Sequence, residues 1–350
     1  MSLILNLTDA EVAYSVGMGV DGLWQAILVA KLAYGWDANG EIAPLRAAPV
    51  LVLDEFAGEP GISGLVRARE LGPLKPKVDV LLAGALVFPG ETSEAEVELA
   101  VGSRILKRAR VFGERVWLPG VVADLVPSDP RPLTRVPIAW ERSYGGSDPD
   151  DPQTAEPLNP VGSGVAKNPT RLHGQPAPNF EEIGRAIGAL IGKPAPVGFG
   201  PIADHWQQRI ALAGTYGEAW AKTRRPLPPE DFSAAFFNVA PADQQLDKYL
   251  PGEEVRLMNM TAVGIDRFRL PTVRVPVAFV TSDELTEDCA AVDTIIIEPE
   301  ERRFSVIAKA AAMLPSGPQS LGRIVVGELD GALREAIETG GTLPETAADQ

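Results

Sequence analysis

The chain has one cysteine, Cys289, and two histidines, His173 and His205, among 350 residues. A single thiol closes no internal disulfide and builds no multi-cysteine zinc or iron-sulfur centre, so a reducing compartment is expected. The histidines stand in "RLHGQ" and "ADHWQQR", without His-x-x-x-His or Glu-x-x-His spacing. His205 therefore reads as a packed or helix-start residue rather than a base or ligand. Phosphate-binding signals are equally sparse. There is no Walker A sequence, "GSGV" (162–165) lacks the lysine, and "GFGPIADHW" lacks both the third glycine and the preceding strand of a dinucleotide fingerprint. Neither "ERSYGG" around Ser143 nor "VGSGV" around Ser163 is a Gly-x-Ser-x-Gly elbow. The acidic run "SDPDDP" (147–152), with Asp148, Asp150 and Asp151, lacks the turn glycine and distal glutamate of a calcium loop and reads as a solvated turn.

Long apolar runs and positive charge are also short. The longest apolar stretch, "LWQAILVAKLAYGW" (23–36), contains Lys31 and is too short to span a bilayer. The start, "MSLILNLTDAEVAYSVG", has no basic region and reaches Asp9 and Glu11 early, which argues against a secretory signal. Lysine and arginine total 32 against 47 acidic residues, a net charge of -15, so the mean field repels nucleic acid and anionic membranes. The densest basic runs, "RILKRARVFGER" and "KTRRP", carry no aromatic platform pattern. The expectation is a cytoplasmic protein with no nucleic-acid or membrane partner.

What is present is β patterning. Residues 1–125 contain "SLILNLT", "LWQAILVAKLAYGW", "APVLVLDEF", "VDVLLAGALVF", "EVELAVG" and "KRARVFGERVWLPG", each rich in Val and Leu and bounded by turn residues. Asn39-Gly40 in "WDANGEI" predicts a hairpin turn. Residues 126–203 form a proline-dense excursion, since proline removes donors and fixes φ. A short helix is predicted within it at "FEEIGRAIGALIG" (180–192), capped by Asn179. Residues 204–312 begin with helical pieces at "HWQQRIALAG" and "GTYGEAWAKTRRP", then return to strands and end in a hairpin about "EPEER" (298–302). The fold class expected is mainly β (α+β), with antiparallel sheets in two strand-rich regions, the proline-rich excursion and a few short helices. The domain expected is a single large β-rich unit over 1–312, followed by a helical segment at 313–339, with the amphipathic helix itself over 325–339 bearing Ala332, Leu333, Ala336 and Ile337, and a disordered tail at 340–350.

Glu141, Glu230 and Asp231 could pair as carboxylates for glycoside hydrolysis, with Trp140, Trp206 and Trp220 as stacking surfaces. The simpler reading makes Trp117, Trp140, Trp206 and Trp220 large core anchors.

The order of further blocks carries a resemblance. "KPKVDVLLAGA", "VFGERVW", "PIAWERSYGG", "NPVGSG", "PNFE", "PVGFGPIADHWQQR", "GTYGEAW", "PLPPEDF", "FFNVAPADQQ", "YLPGEEVRLMN" and "DTIIIEPEERRF" resemble the successive blocks of a bacterial domain-of-unknown-function family, described as type VI secretion system accessory proteins, over roughly residues 15–309. The resemblance implies a cytoplasmic adaptor or chaperone that binds a secretion effector, a PAAR-like spike-tip protein or a valine-glycine-repeat spike protein. It implies no catalytic residue, cofactor or metal. Trp140, Glu141, Arg142, Tyr144, Gly145, Gly146, Asn159, Pro160, Gly162 and Gly164 match one pair of blocks, and Gly198, Gly200, Pro201, Trp206 and Arg209 another. Gly217 and "SVIAK" depart from the usual pattern. These residues read either as a partner surface, with Trp140, Arg142 and Tyr144 at its centre, or as architecture. In the second case the glycines beside Trp206 and Arg209 make a sharp corner whose carbonyls are tied by the guanidinium.

Overall fold

Alternating apolar residues make strands here because successive side chains point to opposite faces and one face can remain polar. The computed structural model describes residues 3–121, 125–187 and 194–339, and the chain in it is mainly β with a few short helices. The widest sheet has seven strands. In order they are Glu11–Met18, Trp24–Trp36, Arg303–Met313, Ala291–Glu298, Val78–Leu82 and Gln245–Leu246, with Ile42–Leu45 also paired to Trp24–Trp36. The two regions that look separate in sequence are thus one sheet: Trp24–Trp36 pairs with Arg303–Met313 along eleven registered positions. Pairing is predominantly antiparallel, although Val78–Leu82 runs parallel to Ala291–Glu298.

Two smaller sheets pack on one face of this layer. Phe304 and Val306 meet Val97, Leu99, Val255 and Phe268 of a five-stranded sheet ordered Phe180–Glu181, Ile105–Phe112, Glu94–Val101, Glu254–Met258, Ile265–Arg269. Further along the same strand, Ala308, Ala310 and Ala312 meet Val277, Phe279, Ile324 and Val326 of a four-stranded sheet ordered Ile4–Asn6, Leu321–Val326, Pro276–Thr281, Leu285–Cys289. All five residues from 304 to 312 share one parity, hence one face. The alanines let the second sheet approach closely.

The other face is covered by residues 46–75, which cross it as a strap, with residues 201–209 beside them. Only Glu55–Phe56 of the expected strand "APVLVLDEF" pairs, and residues 48–54 cross the face instead of joining an edge.

The terminal hairpin about 298–302 and the turn at Asn39-Gly40 are where the sequence places them. Two helices are not. Phe180–Glu181 is an edge strand beside Val111 and Arg110, because Phe180 is buried and Glu181 pairs with Arg115 at 2.6 Å. Asn179, expected to cap a helix, gives its side-chain amide to the carbonyls of Phe112 and Gly113. Residues 188–193 of that predicted helix lie outside the described residues. At the C-terminal end, Leu321–Val326 is a strand, since Ile324, Val325 and Val326 are buried from both faces. The helix starts at Gly331, where the Asp330 carboxylate accepts the Leu333 N–H at 2.7 Å. Leu333 and Ile337 pack internally with Leu5, Ala278 and Val325. The predicted tail at 340–350 lies outside the described residues. No helix among the described residues is long and apolar enough to cross a membrane.

Candidate functional site

The two blocks singled out in the sequence meet. Trp140 is buried, its indole N–H donates to the carbonyl of Pro201 at 2.9 Å, and Trp206 stands edge-on to it with ring centroids 5.5 Å apart. Gly198 lies flat against the Trp140 ring, and Gly200 offers its carbonyl to the same indole at 3.3 Å. Arg209 is buried and ties two segments, donating to Ile202 O at 2.9 Å and Phe236 O at 3.0 Å. The corner expected at residues 196–209 is therefore present, and its guanidinium holds carbonyls.

The second block folds around Asn159, which is fully buried and donates from Nδ2 to the carbonyls of Trp140 and Tyr144, both at 2.9 Å. Tyr144–Gly145 pairs in parallel with Ser163–Gly164, and Pro160 and Gly162 complete the turn between Asn159 and that strand. Gly145 has φ 147°, a left-handed conformation, and a side chain there would strike the Asn159 carbonyl. Gly146, Gly162 and Gly164 lie in the same crossing. Arg142 donates to Glu114 at 2.7 Å and Asn179 at 3.1 Å. Trp140 and Tyr144 are both buried, so their rings pack inside the fold.

Apart from Glu230, which is exposed, the hydroxyls and carboxylates considered for chemistry have internal partners. Ser143 donates to Val197 O, and Ser163 accepts from Trp117 Nε1. Asp231 accepts from the Thr215 N–H and hydroxyl at 2.9 and 2.7 Å. Asp148 accepts backbone N–H groups from Asp150 and Lys167, which lower its pKa, while Arg171 pairs with Asp148 and Asp150 and Lys167 with Asp151. Among the described residues no group of three or more His, Cys, Asp or Glu side chains could hold a metal ion. His205 lies 3.5 Å from Asp204 through Nδ1, with its ring edge against Trp206.

The corner's outer side seats the strap. Glu141 accepts the Gly64 N–H at 2.6 Å, and Leu65, Trp140, Ile202, Ala203 and Trp206 form one apolar cluster. Beneath the strap the face of the seven-stranded sheet sets ion pairs among apolar side chains, Ile27, Val29 and Ile307 packing with Val50 and Leu71 of the strap. Lys31 pairs with Glu70 at 2.6 Å, and the other Glu70 oxygen accepts the Leu51 N–H at 2.8 Å, so one carboxylate joins floor and strap. Lys75 donates to Asp79 at 2.8 Å and Thr294 at 2.7 Å; Asp79 also receives Asn238 and the Val239 N–H. Lys309 pairs with Asp293 at 3.0 Å and reaches the Pro73 carbonyl at 3.2 Å. Burial pulls the Lys309 pKa below its ordinary value, against the opposing charge of Asp293.

Two cavities remain under the strap. The larger encloses about 70 Å³ and includes Pro201 of the corner; the smaller, about 60 Å³, includes Arg209 and Lys309. The register builds the larger one's floor. Leu45 lies opposite Ala33, Ala33 opposite Ser305, Ser305 opposite Ile296, and Ile296 opposite Leu81. Residues directly opposite share a face, so these five form one row across the sheet. Arg67 and Arg303 both bind Glu298 at the row's flank, at 3.0 Å and 2.7 Å.

Sequence reasoning missed this ionic face. Its signal was present: Lys31 and Lys309 each interrupt an otherwise apolar strand, which a solvated face does not require.

The fold and its site define a class, a layered β protein whose helices are short and whose central sheet carries a strapped ionic face. The family model described as uncharacterized protein conserved in bacteria (DUF2169) matches residues 21–309, and the chain belongs to that family. No curated protein and no solved structure matches it.

Proposed function

We propose that this chain is a non-enzymatic, cytoplasmic adaptor or chaperone of a type VI secretion system, binding an effector or a PAAR-like spike-tip protein and assisting its loading. The ordered motif blocks support the secretion context. The observation that carries the binding reading is the strap and the strand end before it: Leu45 and Val66 are exposed at the cleft, and Val52, Leu53 and Ile62 along the strap, Leu53 at 73% and Ile62 at 71%. Large apolar side chains gathered on one segment, flanked by Arg46, Arg67 and Arg69, have the composition of an interaction surface. The motif residues behind it serve as a rigid seat, held through Trp140, Glu141 and Arg209. In this reading the strap carries the partner surface.

The test is co-expression with each protein encoded beside this gene, followed by affinity capture and size-exclusion chromatography at low and moderate salt. The expected result is a stable complex with one neighbour that Leu53→Asp and Ile62→Asp together abolish while leaving the fold intact. Isolation free of every neighbour overturns the adaptor reading. Export of the chain together with the spike would instead identify a structural component of the assembly.

A further inference from the structure

We propose that the cleft under the strap binds a single carboxylate carried by an extended acidic segment of a partner protein. The inference rests on the binding reading above and names the partner's chemistry at that surface. Two observations point the same way.

Charge comes first. The cleft walls carry four cations, Lys31, Arg46, Arg67 and Arg303, against two carboxylates, Glu70 and Glu298, in a chain whose net charge is -15. The internal pairings leave an excess. Lys31 and Glu70 satisfy each other, and Glu298 is shared by Arg67 and Arg303. Arg46, exposed at the mouth, has no acidic partner among the described residues. A guanidinium presents a planar fork of donors that matches a carboxylate.

Shape is the second observation. Ala33 and Ser305 in the middle of the floor row are small, and the space they leave is about 70 Å³. A cavity of that size takes a small group such as a carboxylate on a short methylene stem. Leu45 and Val66 at the rim are apolar and half exposed, positioned for the aliphatic neighbours of such a residue in an extended chain.

The experiment titrates the full chain and its Arg46→Gln variant, by calorimetry, with capped pentapeptides acetyl-Leu-Ala-Glu-Ala-Leu-amide and the same peptide with Gln at the centre, and separately with inorganic phosphate. Arg46 makes no side-chain bond within the fold, so the variant keeps its melting temperature, and a melt checks this. Expected is binding of the Glu peptide about tenfold tighter than the Gln peptide, with Arg46→Gln reducing that preference to about twofold. Equal binding of both peptides, a preference untouched by Arg46→Gln, no heat with either peptide, or tighter binding of phosphate each overturns the proposal. The two readings fail separately. A neighbour complex without Glu/Gln discrimination sinks only the carboxylate site, whereas discrimination without any neighbour complex sinks only the adaptor.

Discussion

At the level of single residues, Gly198 shows what the corner is for. An added Cβ would lie 2.8 Å from three carbons of the Trp140 ring. The ring cannot retreat, because its N–H is held by the Pro201 carbonyl and its other side by Trp206. Overpacking a fixed aromatic in this way costs about 1–3 kcal/mol. Gly198→Ala is therefore expected to lower the free energy of unfolding by about that amount, read as a shift in urea midpoint at unchanged m-value. The control is Gly90→Ala, where nothing lies within 4 Å of the added atom and the midpoint should hold. A smaller Gly198 effect would mean that the corner yields. The sequence correctly placed glycine, tryptophan and arginine together, but it attributed the glycines to a chain reversal. Gly198 has no left-handed φ among the described glycines and is small because a ring needs its space. Both causes select glycine, so the letter alone does not separate them.

Among elements, Glu98 locks the register of three strands. It sits on the central strand Glu94–Val101, directly opposite Arg108 on one side, with Arg256 on the strand at the other side. Arg108 donates to it at 2.6 Å and Arg256 Nε at 2.9 Å. Burial raises the Glu98 pKa, but the hydrogen bonds and charges of Arg108 and Arg256 outweigh it and the net shift is downward. For a carboxylate lowered in the folded state, the unfolded chain binds the proton first as pH falls. The stabilisation is thus fully present above the unfolded value of about 4.3 and is lost as pH falls through the lower folded value. Glu98→Gln is expected to be less stable at neutral pH and to lose stability less steeply in acid, measured by urea unfolding across that range; parallel acid limbs for the two proteins would refute the assignment. The same scale shows what was legible. Hairpins at Asn39-Gly40 and 298–302 were, because turn chemistry is local. The strand Phe180–Glu181 was not, since "FEEIGRAIG" has helical spacing and only the distant partners Val111 and Arg115 draw it into a sheet edge.

Across the whole molecule, the central sheet has two unlike faces, and the difference decides what each covering layer can do. One face is apolar and joined to two sheets through close packing, where every lost methyl is felt. The other holds its strap through apolar contacts of Ile27, Val29 and Ile307 with Val50 and Leu71 and through oriented polar contacts, among them Lys31 to Glu70 and Arg67 to Glu298, the latter 231 positions apart. Separations of that size explain why the ionic face was illegible: a buried lysine is visible in a strand pattern, but its counter-ion is fixed only by the fold. Lys309 tests the argument. Burial lowers its pKa against the help from Asp293, and either partner left alone would be a buried, uncompensated charge. Asp293→Asn is expected to cost about 3–5 kcal/mol, and adding Lys309→Met should recover most of the loss. A double-mutant cycle by urea unfolding measures this directly. Additive losses would mean that the two groups act independently and that the face beneath the strap is solvated. Strong coupling would mean that the strap closes over a dry ionic layer around Lys309 and Asp293, where charges interact more strongly than at a wet surface.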